Sequence, residues 1–154
     1  MGKIFHKALY LLVLEWISEV ASTGERATFT VGFCMGGALS FITAASDVGL
    51  AGAIGFYAYH GDYNGTYIDR VEQIKCPVLG MFGDADHAIP VSIVQTFDEK
   101  LDKVGVEHEI VIYPGAPHGF FERQMPQYAD DAWKRVLGFI HAHTGDQPSQ
   151  KLEE

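Results

Sequence analysis

The stretch TFTVGFCMGG, residues 28–37, decides the fold of this 154-residue chain. Its first six residues are mostly β-branched or aromatic, which predicts a strand over residues 28–33. Cys34 follows at once, and an apolar pattern from residue 35 to about residue 47 predicts a helix. The stretch therefore predicts a strand that turns sharply into a helix, with Cys34 at the corner.

The rest of the chain continues this alternation of strands and helices. Strands are predicted at residues 50–57, 76–82 and 107–113, and helices at residues 91–104 and 126–143. Strands that alternate with helices in this way predict an α/β fold, a three-layer parallel sheet with flanking helices and right-handed crossovers. Residues 58–75, rich in Gly, Asn and Asp, are predicted to form a long surface segment.

Apolar spacing predicts which faces of the last two helices are buried. In the helix over residues 91–104 the face consists of Val94, Phe97 and Leu101. In the helix over residues 126–143 the predicted inward face consists of Ala129, Trp133, Leu137 and Ile140.

The N-terminal stretch MGKIFHKALYLLVLEW can be interpreted as a signal peptide or as a helix. Glu15 interrupts the apolar run, and the run is too short to span a bilayer. Helical spacing favours a buried amphipathic helix over residues 4–21, whose apolar face consists of Phe5, Leu9, Leu12, Trp16 and Val20. We expect a single domain over residues 1–143 and a polar, disordered tail over residues 144–154.

Composition excludes several classes of partner. The chain is 47% hydrophobic, carries a net charge of −9 and has no cluster of Lys and Arg, which argues against nucleic acid and anionic membrane as partners. Cys34 and Cys76 have neither the spacing of a zinc site nor that of a disulfide framework, which favours a reducing compartment, the cytoplasm. Because no C-x-x-C occurs, a redox protein that uses these two cysteines is disfavoured.

Cys34 has a structural and a chemical interpretation. Buried structural cysteines are common, because a thiol behaves as a small apolar group. However, Gly32 and Gly36 flank Cys34 at the sharp turn, where we expect no room for side chains. The turn would place the sulfur at a helix N-terminus, which favours thiolate, and would aim the backbone N–H of Met35 at a developing oxyanion.

Polar residues also follow the third and the last predicted strands, and they include candidates for an acid and a base. In a parallel sheet the carboxyl ends of the strands share one edge, where ligands bind. His118 follows the last strand between a proline and a glycine, and we prefer it as general base over His60 and His87. Asp84 and Asp86 follow the third strand and could both cap the next helix; we prefer Asp86 as the acid that orients His118.

These motifs together resemble those of the dienelactone hydrolase family, the cysteine branch of the α/β-hydrolases. The resemblance covers about residues 5–143 and rests on GFCMGG, FGDADHAIP and PGAPHGF. The family's G-x-C-x-G-G motif matches Gly32, Cys34, Gly36 and Gly37. The resemblance implies hydrolysis of small esters or lactones by a catalytic triad of Cys34, His118 and Asp86, without metal or cofactor.

The N-terminal part of the chain departs from the family pattern. The family has further strands there, which carry a glutamate, a second oxyanion donor and a substrate-binding arginine, whereas here a single predicted helix precedes residue 28. We therefore expect an N-terminally shortened fold whose exposed sheet edge is covered in a homodimer. The alternative function is a catalytically impaired remnant that serves as an oligomerisation or interaction module.

Two residues are candidate contacts for the substrate. Tyr59 follows the second strand, and Arg123 could grip an anionic group with its guanidinium. The family's own arginine lies one position closer to the histidine, where this chain has Glu122. Arg123 is equally well explained as a surface partner of Glu122 or Asp130.

Overall fold

The structure, a computed structural model, describes residues 27–61, 66–121 and 125–144. Its strands are β1 (Phe29–Phe33), β2 (Gly52–Phe56), β3 (Val78–Gly83) and β4 (His108–Tyr113), and its α-helices are α1 (Met35–Ala44), α2 (Val91–Val104) and α3 (Pro126–His143). A 3₁₀ helix spans Tyr67–Gln73. The predicted strands and helices in this part of the chain are confirmed to within a few residues. The predicted helix over residues 4–21 and nearly all of the predicted tail lie outside the described residues.

All four strands are parallel, in the order β1-β2-β3-β4. Because each strand lies next to its predecessor, right-handed crossovers put the connecting helices α1 and α2 on the same face of the sheet. Of the described helices, α3, which follows the last strand, packs on the opposite face, against β2 and β3. The predicted three-layer α/β architecture is confirmed.

A row of three glycines brings α1 close to the sheet. Gly32, Gly55 and Gly80 lie side by side in register on β1, β2 and β3. A Cβ at Gly55 would lie 2.3 Å from the ring of Phe41 in α1, so the missing side chain makes room for that ring. Phe41 also packs against Phe97 of α2 at 5.1 Å between ring centroids, which joins the two helices of this layer.

The prediction of a long surface segment before β3 is wrong for its second half. Tyr67, Ile68 and Val71 of the 3₁₀ helix are buried. Thr66 and Asp69 form a capping box at its start, and the hydrogen bonds from Thr66 hold the pKa of the Asp69 carboxyl below its usual range. The sequence analysis missed this helix because the Gly, Asn and Asp residues earlier in the segment indicated a loop throughout.

The predicted inward face of α3 is wrong for Trp133 and Leu137, although Ile140, which belongs to it, does pack against the core. The buried residues are Ala132, Val136 and Phe139, whereas the side chains of Trp133 and Leu137 are each 50% exposed. The two apolar stripes are neighbours on the helix, so spacing alone cannot choose between them. Phe139 contacts the sheet at Gly52, where a Cβ would lie 2.6 Å from its ring.

Strand β1 lies at the edge of the described sheet. Val31 is 45% exposed, and Phe33 and Met35 are exposed as well. This edge therefore presents apolar side chains beside the corner that carries Cys34. Among the described residues, no helix is long and apolar enough to cross a membrane.

Candidate active site

Cys34 lies at the corner between β1 and α1 in an uncommon backbone conformation. Its φ is 53° and its ψ is −116°, a region that residues with a side chain rarely adopt. Its N–H donates to the carbonyl of Phe56 at 3.0 Å, and its carbonyl accepts from the N–H of Tyr59 at 3.1 Å. The end of β2 thus fixes this corner from both sides.

The glycines around Cys34 differ in what requires them. A Cβ at Gly32 would lie 2.0 Å from the carbonyl oxygen of Gly36, and one at Gly37 would lie 2.9 Å from that of Phe56. At Gly36, in contrast, nothing lies within 4 Å of a Cβ. The expectation that crowding requires glycine on both sides of Cys34 therefore holds for Gly32 and is wrong for Gly36.

His118 and Asp86 are in direct contact. Nδ1 of His118 donates to Oδ2 of Asp86 at 2.7 Å. The side chain of Asp86 is 1% exposed and that of His118 is 31% exposed. An ionised carboxylate only accepts, so this bond places the proton of the neutral ring on Nδ1 and leaves Nε2 as the basic nitrogen.

Asp86 also organises the loop before α2. Its Oδ1 accepts from the backbone N–H groups of Ala88 at 2.8 Å and Ile89 at 3.2 Å. These bonds compensate the burial of the carboxylate, which would be costly without partners. Of the two interpretations from the sequence, the contact with His118 is present, whereas capping of α2 is wrong, because Pro90 is the N-cap and no side chain caps that helix.

Asp84 contacts a different loop. Its Oδ1 accepts from the N–H of Gly115 at 2.5 Å, and its own N–H donates to the carbonyl of Tyr113. Asp84 therefore ties the loop after β3 to the loop after β4. Of the two carboxylates, Asp86 is the one that lies at His118.

The loop after β4 crosses the sheet edge towards β1. The ring of Phe121, three residues after His118, lies 5.6 Å from the ring of Phe33, the neighbour of Cys34. Phe56 stacks on Phe33 at 4.6 Å and lies 4.8 Å from Phe121. An aromatic cluster thus connects the corner that carries Cys34 to the loop that carries His118.

Two tyrosines follow β2 at this edge. The ring of Tyr57 lies 5.0 Å from that of His118, a contact that the sequence analysis missed. Its position directly after a strand at the carboxyl edge could have indicated it. Tyr59 is exposed, and its backbone N–H donates a hydrogen bond to the carbonyl of Cys34. Arg123 lies outside the described residues.

The other cysteine has different surroundings. Cys76 is buried, and burial raises the pKa of its thiol to about 11. Both Cys34 and Cys76 are free thiols. In the described part of the chain, no group of three or more His, Cys, Asp or Glu side chains could hold a metal ion.

Comparison with known proteins identifies similar chains. Residues 7–144 match the dienelactone hydrolase family. The chain is 31% identical over 142 residues to the "Putative carboxymethylenebutenolidase" of Escherichia coli O157:H7, with 86% of this chain and 52% of that protein covered. It is 35% identical over 125 residues to the protein of the same description from Saccharolobus solfataricus, with 79% and 46% covered.

Among solved structures, the chain resembles the "Putative Dienelactone Hydrolase" of Klebsiella pneumoniae. The TM-score is 0.68 at 30% identity, and the match covers 73% of this chain and 51% of that one. An acylaminoacyl peptidase of Pyrococcus horikoshii has the same TM-score at 15% identity, which indicates a shared fold. The chain spans about half the length of the curated relatives it matches.

Proposed function

The chain belongs to the dienelactone hydrolase family, and from this membership we propose that it hydrolyses ester or lactone bonds with Cys34 as nucleophile. His118 is the general base and Asp86 the residue that orients it. The observation that carries the proposal is the course of the loop after β4, which holds His118 on Asp86 and reaches the side chain next to Cys34.

The proposed reaction has two halves. Nε2 of His118 takes the thiol proton, and the thiolate attacks the acyl carbon. The backbone N–H of Met35 stabilises the oxyanion, because the first N–H groups of a helix lack intrahelical acceptors. The intermediate collapses to a thioester as His118 returns the proton to the leaving oxygen. Water, deprotonated by His118, then attacks the thioester, which releases the acid and restores the thiol.

The surroundings of Cys34 support a small, partly apolar substrate. The rings of Phe33 and Phe121 lie beside the corner, and the buried ring of Phe56 packs against both from below. We propose that the side chain of Tyr59 contacts the substrate, because it is exposed and its backbone N–H is hydrogen-bonded to the carbonyl of Cys34. Arg123 remains a proposed partner for an anionic group, as in an enol-lactone that carries a carboxylate. The mechanism requires neither metal nor organic cofactor.

A colorimetric assay with short-chain esters tests the triad. We expect Cys34→Ala to abolish turnover and Asp86→Asn to reduce kcat by at least about tenfold, because the histidine loses its orienting charge. Asp84→Asn is the matched control, since an asparagine oxygen can still accept from Gly115, and it should retain wild-type turnover. Equal rates for wild type and Cys34→Ala would remove Cys34 from the mechanism.

We also propose that two copies associate as a homodimer in the cytoplasm. The support for the dimer is the apolar edge at β1, where Val31, Phe33 and Met35 are exposed. The support for a reducing compartment is that both cysteines are free thiols.

The same edge favours the second candidate function, an interaction or oligomerisation module without effective catalysis. The rate of alkylation of Cys34 by iodoacetamide against pH separates the two functions. A thiol that reacts well below pH ~8.5 supports the enzyme, and ordinary reactivity supports the module.

A further inference from the structure

Tyr57 has an uncommon backbone conformation for an aromatic residue. Its φ is 35°. Among the described residues, the other non-glycine residues with a positive φ are Cys34 and Asp47. Such a conformation is strained for a bulky side chain and persists only where its surroundings enforce it. Cys34 and Tyr57 follow the ends of neighbouring strands, so two strained corners lie side by side.

The backbone on either side of Tyr57 holds Cys34. Phe56, just before it, accepts from the N–H of Cys34, and Tyr59, two residues after it, donates to the carbonyl of Cys34. The N–H of Tyr57 itself donates to the carbonyl of Met81 on β3 at 2.7 Å. The turn at Tyr57 therefore sets the spacing of the two groups that fix the corner at Cys34.

The ring of Tyr57 is 1% exposed and packs against His118. The two ring centroids are 5.0 Å apart at an interplanar angle of 60°. Phe120 contacts the tyrosine ring edge-on at 5.3 Å, and Phe33 lies 6.2 Å away. The hydrogen bond to Asp86 fixes one atom of the imidazole but not the tilt of its plane, which the packed tyrosine ring restricts.

We propose that Tyr57 is a positioning residue, which sets the corner of Cys34 through its backbone and the plane of His118 through its ring. This inference rests on the proposed function, because it assumes that Cys34 and His118 react together. It adds a residue that no motif indicated and that contacts the proposed base, His118.

Alkylation of Cys34 by iodoacetamide between pH 6 and pH 9 tests the proposal without a known substrate. At pH 6 we expect Tyr57→Leu to react about tenfold more slowly than wild type, close to His118→Ala, because a misdirected base no longer accepts the thiol proton. Tyr57→Phe, which keeps the ring, should react within about twofold of wild type. A wild-type profile in Tyr57→Leu, or an equal loss in Tyr57→Phe, would overturn the proposal.

Phe97→Leu is the matched control for lost stability. Phe97 is a fully buried ring that packs on Phe41 on the other side of the sheet. We expect it to lower the midpoint of unfolding as much as Tyr57→Leu while the pH profile of alkylation stays that of wild type. If Phe97→Leu slows alkylation equally, the effect is general loosening and the positioning role is rejected.

A nuclear magnetic resonance measurement separates this inference from the proposed function. The proton on Nδ1 of His118, shared with Asp86, should exchange slowly in wild type and in Tyr57→Phe and rapidly in Tyr57→Leu. If wild type and His118→Ala alkylate alike at every pH, the proposed function fails, and proton exchange alone then decides the role of Tyr57. Slow exchange in Tyr57→Leu would reject that role.

Discussion

Gly32 and Gly36 lie on either side of Cys34, but only Gly32 is crowded. A methyl group at Gly32 would lie 2.0 Å from a backbone oxygen, so β1 and α1 would have to separate. We expect Gly32→Ala to lower the free energy of unfolding by about 3 kcal/mol or more. Gly36→Ala should leave it unchanged or raise it by up to about 1 kcal/mol, because alanine favours the helix.

Urea unfolding of both glycine variants measures this difference. Each variant is the control for the other, because both changes add one methyl group two residues away from Cys34. Equal destabilisation by Gly32→Ala and Gly36→Ala would contradict the crowding argument.

The two thiols should differ in reactivity, which gives a second prediction. Burial raises the pKa of Cys76 to about 11, whereas Cys34 is only half-buried. Native protein treated with iodoacetamide at pH 8 should therefore take one label, at Cys34, and a second only after unfolding. Mass spectrometry of wild type and Cys34→Ala measures the count, and a native label on Cys76 would contradict the prediction.

Because the pKa of Cys76 is raised in the folded state, the stability of the fold should depend on pH. The folded state retains the thiol proton where the unfolded state, with an ordinary pKa of ~8.5, begins to lose it. The contribution of Cys76 to stability is thus complete below pH ~8.5 and declines as pH rises towards 11. Cys76→Ala should show a weaker decline over this range in chemical unfolding.

Chain order alone predicted part of the site. Asp86 and His118 could be named because each follows a strand of a parallel sheet, and the structure brings them into contact. The strained backbone of Tyr57 could not be predicted, because it depends on the hydrogen bond from its N–H to Met81 and on the bonds that Phe56 and Tyr59 make with Cys34. Residue type and spacing carry no information on such strain.

On helix α3, two adjacent apolar stripes compete for burial. Val136 is fully buried, whereas its neighbour Leu137 is 50% exposed. We expect Val136→Ala to lower the free energy of unfolding by about 2 kcal/mol, through lost burial and the cavity left behind. Leu137→Ala should cost about 0.5 kcal/mol, as for a surface position. Urea unfolding measures both, and the reverse order would restore the face predicted from the sequence.

Element positions were predictable where one physical signal dominated. The run before Cys34 is β-branched and aromatic, and the helix Val91–Val104 buries the predicted Val94, Phe97 and Leu101. Prediction failed where two signals overlapped. On α3 both stripes are apolar, and before β3 the turn residues concealed a capped 3₁₀ helix. Tertiary packing, which the sequence pattern does not contain, decided both cases.

The whole described molecule is asymmetric about its sheet. One face is covered by α1, α2 and the 3₁₀ helix, whereas α3 alone covers the other, against β2 and β3. On that second face β1 remains exposed at Val31 and Phe33. An edge strand with unpaired backbone groups and apolar side chains is a template for association. This apolar edge and the candidate active site lie next to each other at Cys34.

The last prediction concerns this edge. If two copies associate through β1, Val31→Lys should weaken the dimer by at least about tenfold, because a charge would be buried or displaced at the contact. Val104→Lys is the matched control, since Val104 is similarly exposed but lies at the end of α2. Sedimentation velocity over a range of concentrations should show a dimer for wild type and Val104→Lys and a monomer for Val31→Lys. A wild-type monomer at every concentration, or equal loss in both variants, would reject association through β1.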